Sequence, residues 1–147
     1  MIYVQNDTLL TCVQFMLREY PNLPTVYLAW DPRLHAIRFK RGDESSRGNF
    51  LGQTSPWECD EANRVTEFYV TLREGLVDEE LVWIFSHEMT HVILIVKHGP
   101  GYKSTHDAEF DSEHLKLFRR MSKAWKQTRY PARMPTLTIP RIEELRS

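Results

Sequence analysis

Cysteine is scarce, with only Cys12 and Cys59 among 147 residues. Two thiols make one bridge at most and cannot supply a four-thiolate zinc ribbon, which excludes a disulfide-framed or ribbon scaffold. Both are expected as buried free thiols. Long hydrophobic runs are lacking too. The longest, Leu81 to Val96, is broken by His87, Glu88 and His91 and is too short for a bilayer, so no transmembrane span is predicted. The first ten residues hold Asn6 and Asp7 and have neither a basic stretch nor a continuous apolar one. That composition does not read as a secretory signal and predicts a cytoplasmic, intracellular protein, the nucleoid or nucleus included. A net charge of −1 leaves no global attraction to nucleic acid. Internal repeats do not occur.

What is present fits one globular domain: 41% of residues are hydrophobic and 27% charged. A domain of this length buries roughly two-thirds of the surface its unfolded chain exposes, so it needs no metal to hold its fold. Asn6 or Asp7 can cap a helix to about Tyr20, with Leu9, Leu10, Val13 and Leu17 at helical spacing and Pro21 and Pro24 beyond it. Thr25 to Trp30 and His35 to Lys40 read as strands around an Asp31-Pro32-Arg33 turn. Residues 41–63 are polar, with room for one short strand near Phe50 and Leu51. Val65 to Leu72 is strand-like, with Phe68, Val70 and Leu72 on one face and Gly75 ending it.

Asp78 is the expected cap of a second helix running to about Lys97, where His98-Gly99-Pro100-Gly101 breaks it. A third helix is expected from about His106 to Gln127, with Phe110, Leu117, Met121 and Trp125 along one side. The expected fold class is therefore α+β. A small mixed or antiparallel sheet of three to four strands packs against the N-terminal, central and C-terminal helices over residues 1–130, and a Pro-containing tail, 131–147, forms an extended arm.

The central helix is apolar nearly all round, hence buried, yet carries two imidazoles and a carboxylate at its middle. An unpartnered buried carboxylate costs several kcal/mol, and a dication separated from Glu88 by a water would offset that cost. Residues four apart on a helix lie about 40° and roughly 6 Å from each other, so His87 and His91 can reach one zinc ion. Glu88, rotated about 100° from His87, is poorly placed as a ligand and well placed to take a proton from an attacking water. Chance placement of His-Glu-x-x-His in a chain of this composition predicts roughly 0.02 occurrences.

A catalytic zinc usually takes three protein ligands. The metzincin pattern needs Gly at position 94 and His at 97, where this chain has Leu94 and Lys97. His98 lies about 10 Å further along the helix than His91, too far to share one metal. His106, at the start of the next helix, is the better candidate, with Glu109, Asp111, Glu113 and His114 as alternatives.

The stretch from Phe68 to Phe118 resembles the SprT/Spartan and WLM-type, minigluzincin-like zinc proteases. Those families place a strand, a loop, a His-Glu-x-x-His helix, a variable Gly-containing loop and then His-Gly/Asp-x-x-Phe opening the next helix. The matching residues are Glu67 to Leu72, His87-Glu88-Met89-Thr90-His91, His98-Gly99-Pro100 and His106-Asp107-Ala108-Glu109-Phe110. The resemblance implies Zn2+ held by His87, His91 and His106, Glu88 as general base, and Phe110 as an anchor under the site. It also implies an extended substrate held by the strand Phe68 to Leu72, were that strand at the sheet edge. Many SprT-like proteins add a C-terminal zinc ribbon, which two cysteines cannot build.

The expected function is zinc-dependent hydrolysis of peptide bonds in a protein substrate, with no membrane partner. Between Leu115 and Ile142 there are eight Lys or Arg and no Asp or Glu. Lys116, Arg119, Arg120, Lys123 and Lys126 recur at helical spacing and continue to Arg129 and Arg133. They read either as a DNA-contacting face or as an ordinary solvated one. Two alternatives stand beside this reading. One is an ImmA/IrrE-like regulatory peptidase with Asp111 or Glu113 as third ligand. The other is a non-catalytic zinc-binding interaction module, closed by a fourth protein ligand.

Overall fold

The computed structural model describes residues 3–5, 7–30, 51–128 and 138–140. Its elements in chain order are β1 (Tyr3–Gln5), α1 (Asp7–Glu19), β2 (Thr25–Trp30), β3 (Gly52–Cys59), β4 (Val65–Leu72), α2 (Asp78–His98), α3 (Ala108–Thr128) and β5 (Thr138–Pro140). The strand His35 to Lys40, its Asp31-Pro32-Arg33 turn, Arg129, Arg133 and the rest of the tail lie outside the described residues. The architecture is the α+β arrangement expected, with three helices and a three-stranded mixed sheet among the described residues.

The sheet runs β2-β4-β3, with β2 parallel and β3 antiparallel to β4. Strand β4 is therefore central, flanked on both sides, so the edge position on which substrate binding by Phe68 to Leu72 depended is not met. The central place suits its composition, because Phe68, Val70 and Leu72 are buried on one face and Tyr69 and Thr71 on the other, and only a flanked strand loses both faces to packing. The edge beside the helices is β3 instead, an eight-residue strand where a short one near Phe50 and Leu51 was expected. Pro56, which cannot donate to a ladder, is tolerated there for that reason.

One core joins the layers. Leu9, Cys12, Phe15 and Met16 of α1, Phe68, Val70 and Leu72 of β4, Leu81, Phe85, Met89 and Val92 of α2, and Leu117, Met121 and Trp125 of α3 are all buried within it. In α1 the buried stripe turns through Cys12 and Phe15, so Leu17, expected on it, is instead 68% exposed. Of the two thiols, both free, Cys12 is buried as expected and Cys59 is exposed, since it ends the edge strand. Burial pushes the Cys12 thiol up to about 12, so it stays protonated and inert.

Helix α2 begins differently from expectation. Its N-cap is Val77, which makes no side-chain capping bond, and Asp78 is the first helical residue. Asp78, Glu79 and Glu80 still place three acids in the first turn, where the macrodipole favours them. The helix ends at Gly99, whose φ of 78° lies in the region glycine adopts without cost and whose N–H reaches Ile95 O at 3.0 Å. Helix α3 begins at Ala108, two residues later than expected, and Asp107 caps it: its Oδ1 accepts from Phe110 N at 2.9 Å. In the tail, β5 pairs antiparallel with β1, so this part of the arm is tied back to the N-terminus. Among the described residues no helix is long and apolar enough to cross a membrane.

Candidate metal centre

The i, i+4 spacing places His87 and His91 on one face of α2, and the loop after Gly99 returns the chain so that His106 faces them. His106 Nε2 lies 3.2 Å from His87 Nε2 and 3.1 Å from His91 Nε2. Three imidazole nitrogens tetrahedrally arranged around zinc, at about 2.0–2.1 Å each, stand about 3.3 Å apart. The donor set thus fits a metal ion: His106 stands from both helix histidines at nearly the separation that shared coordination requires, and all three ligand atoms lie within 4.8 Å of one another. Phe110, 1% exposed, seats them, with its ring centroid 4.8, 4.5 and 4.9 Å from those of His87, His91 and His106.

The surroundings keep these imidazoles ready for a cation. Burial, followed by the neighbouring His91, His114 and His106, pushes His87 down to about 3. Burial, then His106 and His114, pushes His91 down to about 4. Both are therefore neutral at pH 7, and a metal displaces no proton from either.

Glu88, beside His87, reaches into the contact between α2 and β3. It is 3% exposed, and its Oε2 stands 4.0 Å from His87 Nε2, outside the group of three. Thr54 donates to Glu88 Oε1 at 2.8 Å and lies 3.1 Å from Glu88 O. Gly52 makes this closeness possible. A Cβ there would stand 2.9 Å from Glu88 Oε2 and 3.0 Å from Ile84 Cγ2, so any side chain would push β3 away from the helix. Burial drives Glu88 up to about 8 against the opposing Thr54 bond.

That shift predicts how the metal-free protein responds to pH. A carboxyl raised on folding binds a proton that the unfolded chain has released, so stability falls as pH rises from the unfolded value towards 8. The lowered His87, His91 and His114 act oppositely, and their contribution is complete only about one pH unit above 6.5. The Glu88 share between pH 6.5 and 8, a loss on the order of 2 kcal/mol, is therefore read as the difference between the parent and Glu88→Gln, in which the histidine share cancels. Urea unfolding of both proteins with chelator present measures that difference, and the same pH dependence in the two would contradict it.

The remaining candidates are elsewhere. His98 Nε2 binds Glu109 Oε1 at 2.8 Å and Lys97 Nζ binds Glu109 Oε2 at 3.1 Å, which occupies that carboxylate and holds it well below the usual range, Lys97 first and His98 second. Asp111 is exposed, and Glu113 faces Lys116 at 3.6 Å. His114 is buried behind the triad, its Nε2 3.1 Å from Ser86 Oγ and 3.2 Å from Trp83 O, its ring 5.1 Å from that of His87. Burial lowers it despite the Trp83 carbonyl.

No family model, curated protein or solved structure matches this chain. The geometry must therefore carry the functional reading alone. A groove of about 720 Å³ opens beside the triad, lined on one wall by residues 52–56 of β3, on its floor by His87, Glu88, His91 and Ile95, and on the other wall by residues 102–106. On α3, Arg120 pairs with Glu19 at 3.5 Å and Lys126 with Glu79 at 3.5 Å, so with Lys116 three of the five basic residues face acids.

Residues that sequence reasoning passed over are Thr54 and Ser104. Each is a lone hydroxyl acting across a long sequence separation, which leaves no local signal. Gly52 was visible only as one glycine of a polar stretch.

Proposed function

We propose that this protein is a zinc-dependent peptidase of the SprT/Spartan and WLM type, hydrolysing peptide bonds of a protein substrate. The observation that carries the reading is the convergence of the His87, His91 and His106 Nε2 atoms beside a buried carboxylate on an open groove. The structural support extends to a metal ion in general; zinc is the proposed ion, one of the transition metals that imidazole suits. Bound by these three residues, zinc supplies a Lewis acid that polarises a carbonyl and lowers the pKa of water towards 7.

Glu88 takes the proton of the attacking water and returns it to the leaving amine. A site proton affinity near neutrality suits both transfers, and a cation nearby draws the raised Glu88 carboxyl back towards ionisation. Thr54 holds Oε1, leaving Oε2 on the His87 side free to work. An extended peptide adds to the outer edge of β3, which has no strand on that side among the described residues, and its scissile carbonyl comes to lie over the triad. The test is one zinc per chain together with zinc-dependent cleavage of an unfolded protein. Zinc uptake without cleavage of any peptide would favour the non-catalytic module.

A DNA-associated substrate is the narrower form of the proposal. With three basic residues of α3 already paired, Arg119 and Lys123 are the cations left for phosphate on this face among the described residues. Duplex binding should then fall with salt at a logarithmic slope of about −2 and vanish in the double alanine variant. No binding at about 50 mM salt would remove the DNA-associated form and leave the peptidase reading standing.

A further inference from the structure

His91 presents both ring nitrogens to partners. Nε2 faces His106 Nε2 at 3.1 Å, inside the triad, and Nδ1 lies 2.6 Å from Ser104 Oγ, outside it. A neutral imidazole carries a single proton. For Nε2 to offer a lone pair to a metal, that proton must sit on Nδ1, where it needs an acceptor. We propose that Ser104 is a positioning residue that accepts the Nδ1–H of His91, fixing both the tautomer and the ring plane in which Nε2 faces the metal site. This rests on the metal-centre reading above.

The position of Ser104 is built rather than incidental. Its loop joins α2 to α3 and is fixed at both ends: Glu109 binds Lys97 and His98, and Asp107 caps the next helix. Between them the Tyr102 ring packs on His98 at 4.3 Å. Tyr102, Ser104 and His106 of this segment all line the groove beside His91. The same short segment therefore supplies one ligand, His106, and the hydroxyl that orients another, His91. Correct seating of the loop assembles both at once, and a displaced loop loses both.

Ser104→Ala and Ser104→Thr separate this from a structural role. Zinc affinity, measured by chelator competition, should weaken about 10- to 100-fold in the alanine variant and stay within about threefold of the parent in the threonine variant. Nitrogen NMR of the metal-free parent at neutral pH should show the His91 proton on Nδ1, and the alanine variant should show a mixture of tautomers. Undiminished zinc binding in Ser104→Ala, or a parent spectrum with the proton on Nε2, would overturn the proposal. Were the parent itself to bind no zinc, the metal-centre reading would fall, while the metal-free spectrum would still decide for or against Ser104.

Discussion

Glu88→Gln is expected to keep zinc bound at one per chain and to lower the rate of peptide cleavage by about 10²- to 10⁴-fold. The amide matches the carboxyl in shape, and its oxygen still accepts from Thr54, so the contact between α2 and β3 survives. What disappears is the ability to take a proton. Because the parent pays to hold this group neutral when metal-free, the variant should unfold no more easily than the parent at pH 8. Loss of activity with preserved or raised stability is a combination that damage to the fold does not produce. Cleavage at the parental rate would dispose of Glu88 as the base.

The second large effect concerns His106. Zinc held by protein ligands is bound with about 10–16 kcal/mol shared over four positions, so removing one imidazole should weaken binding by about 10²- to 10³-fold. His106→Ala should do this, whereas Asp111→Ala and Glu113→Ala should change affinity by no more than a few-fold, because Asp111 is exposed and Glu113 faces Lys116. Chelator competition measures all three. The opposite ranking would favour the regulatory peptidase with an acidic third ligand.

These expectations rest on parts of the chain that differ in how openly the sequence announces them. Helix α2 is legible because an apolar run seldom buries two histidines at i and i+4 without a cation to share, and β4 because Phe68, Val70 and Leu72 alternate. His106 could be placed next to the third helix start, though not distinguished from its neighbours, since the return of the loop depends on tertiary contacts such as Glu109 with Lys97 and His98.

Strand β3 was nearly invisible for a physical reason. Gly-Gln-Thr-Ser-Pro-Trp-Glu-Cys at a sheet edge is largely exposed, so neither burial nor alternation marks it. With only a short strand expected near Phe50 and Leu51, the central position of β4 was not legible either. The same gap hid Thr54, which reaches Glu88 across 34 residues, as it hid the closeness that only glycine at position 52 permits. Leu17 fits a helical repeat but sits where α1 turns to solvent, because the position of its partners, not the repeat, decides which stripe is covered.

The most direct measurement is anomalous diffraction at the zinc edge from crystals of the zinc-loaded protein. A single peak about 2.0–2.1 Å from the Nε2 atoms of His87, His91 and His106, with no fourth protein ligand, is the predicted result. A peak touching fewer than all three, or no peak beside this helix, would contradict the account.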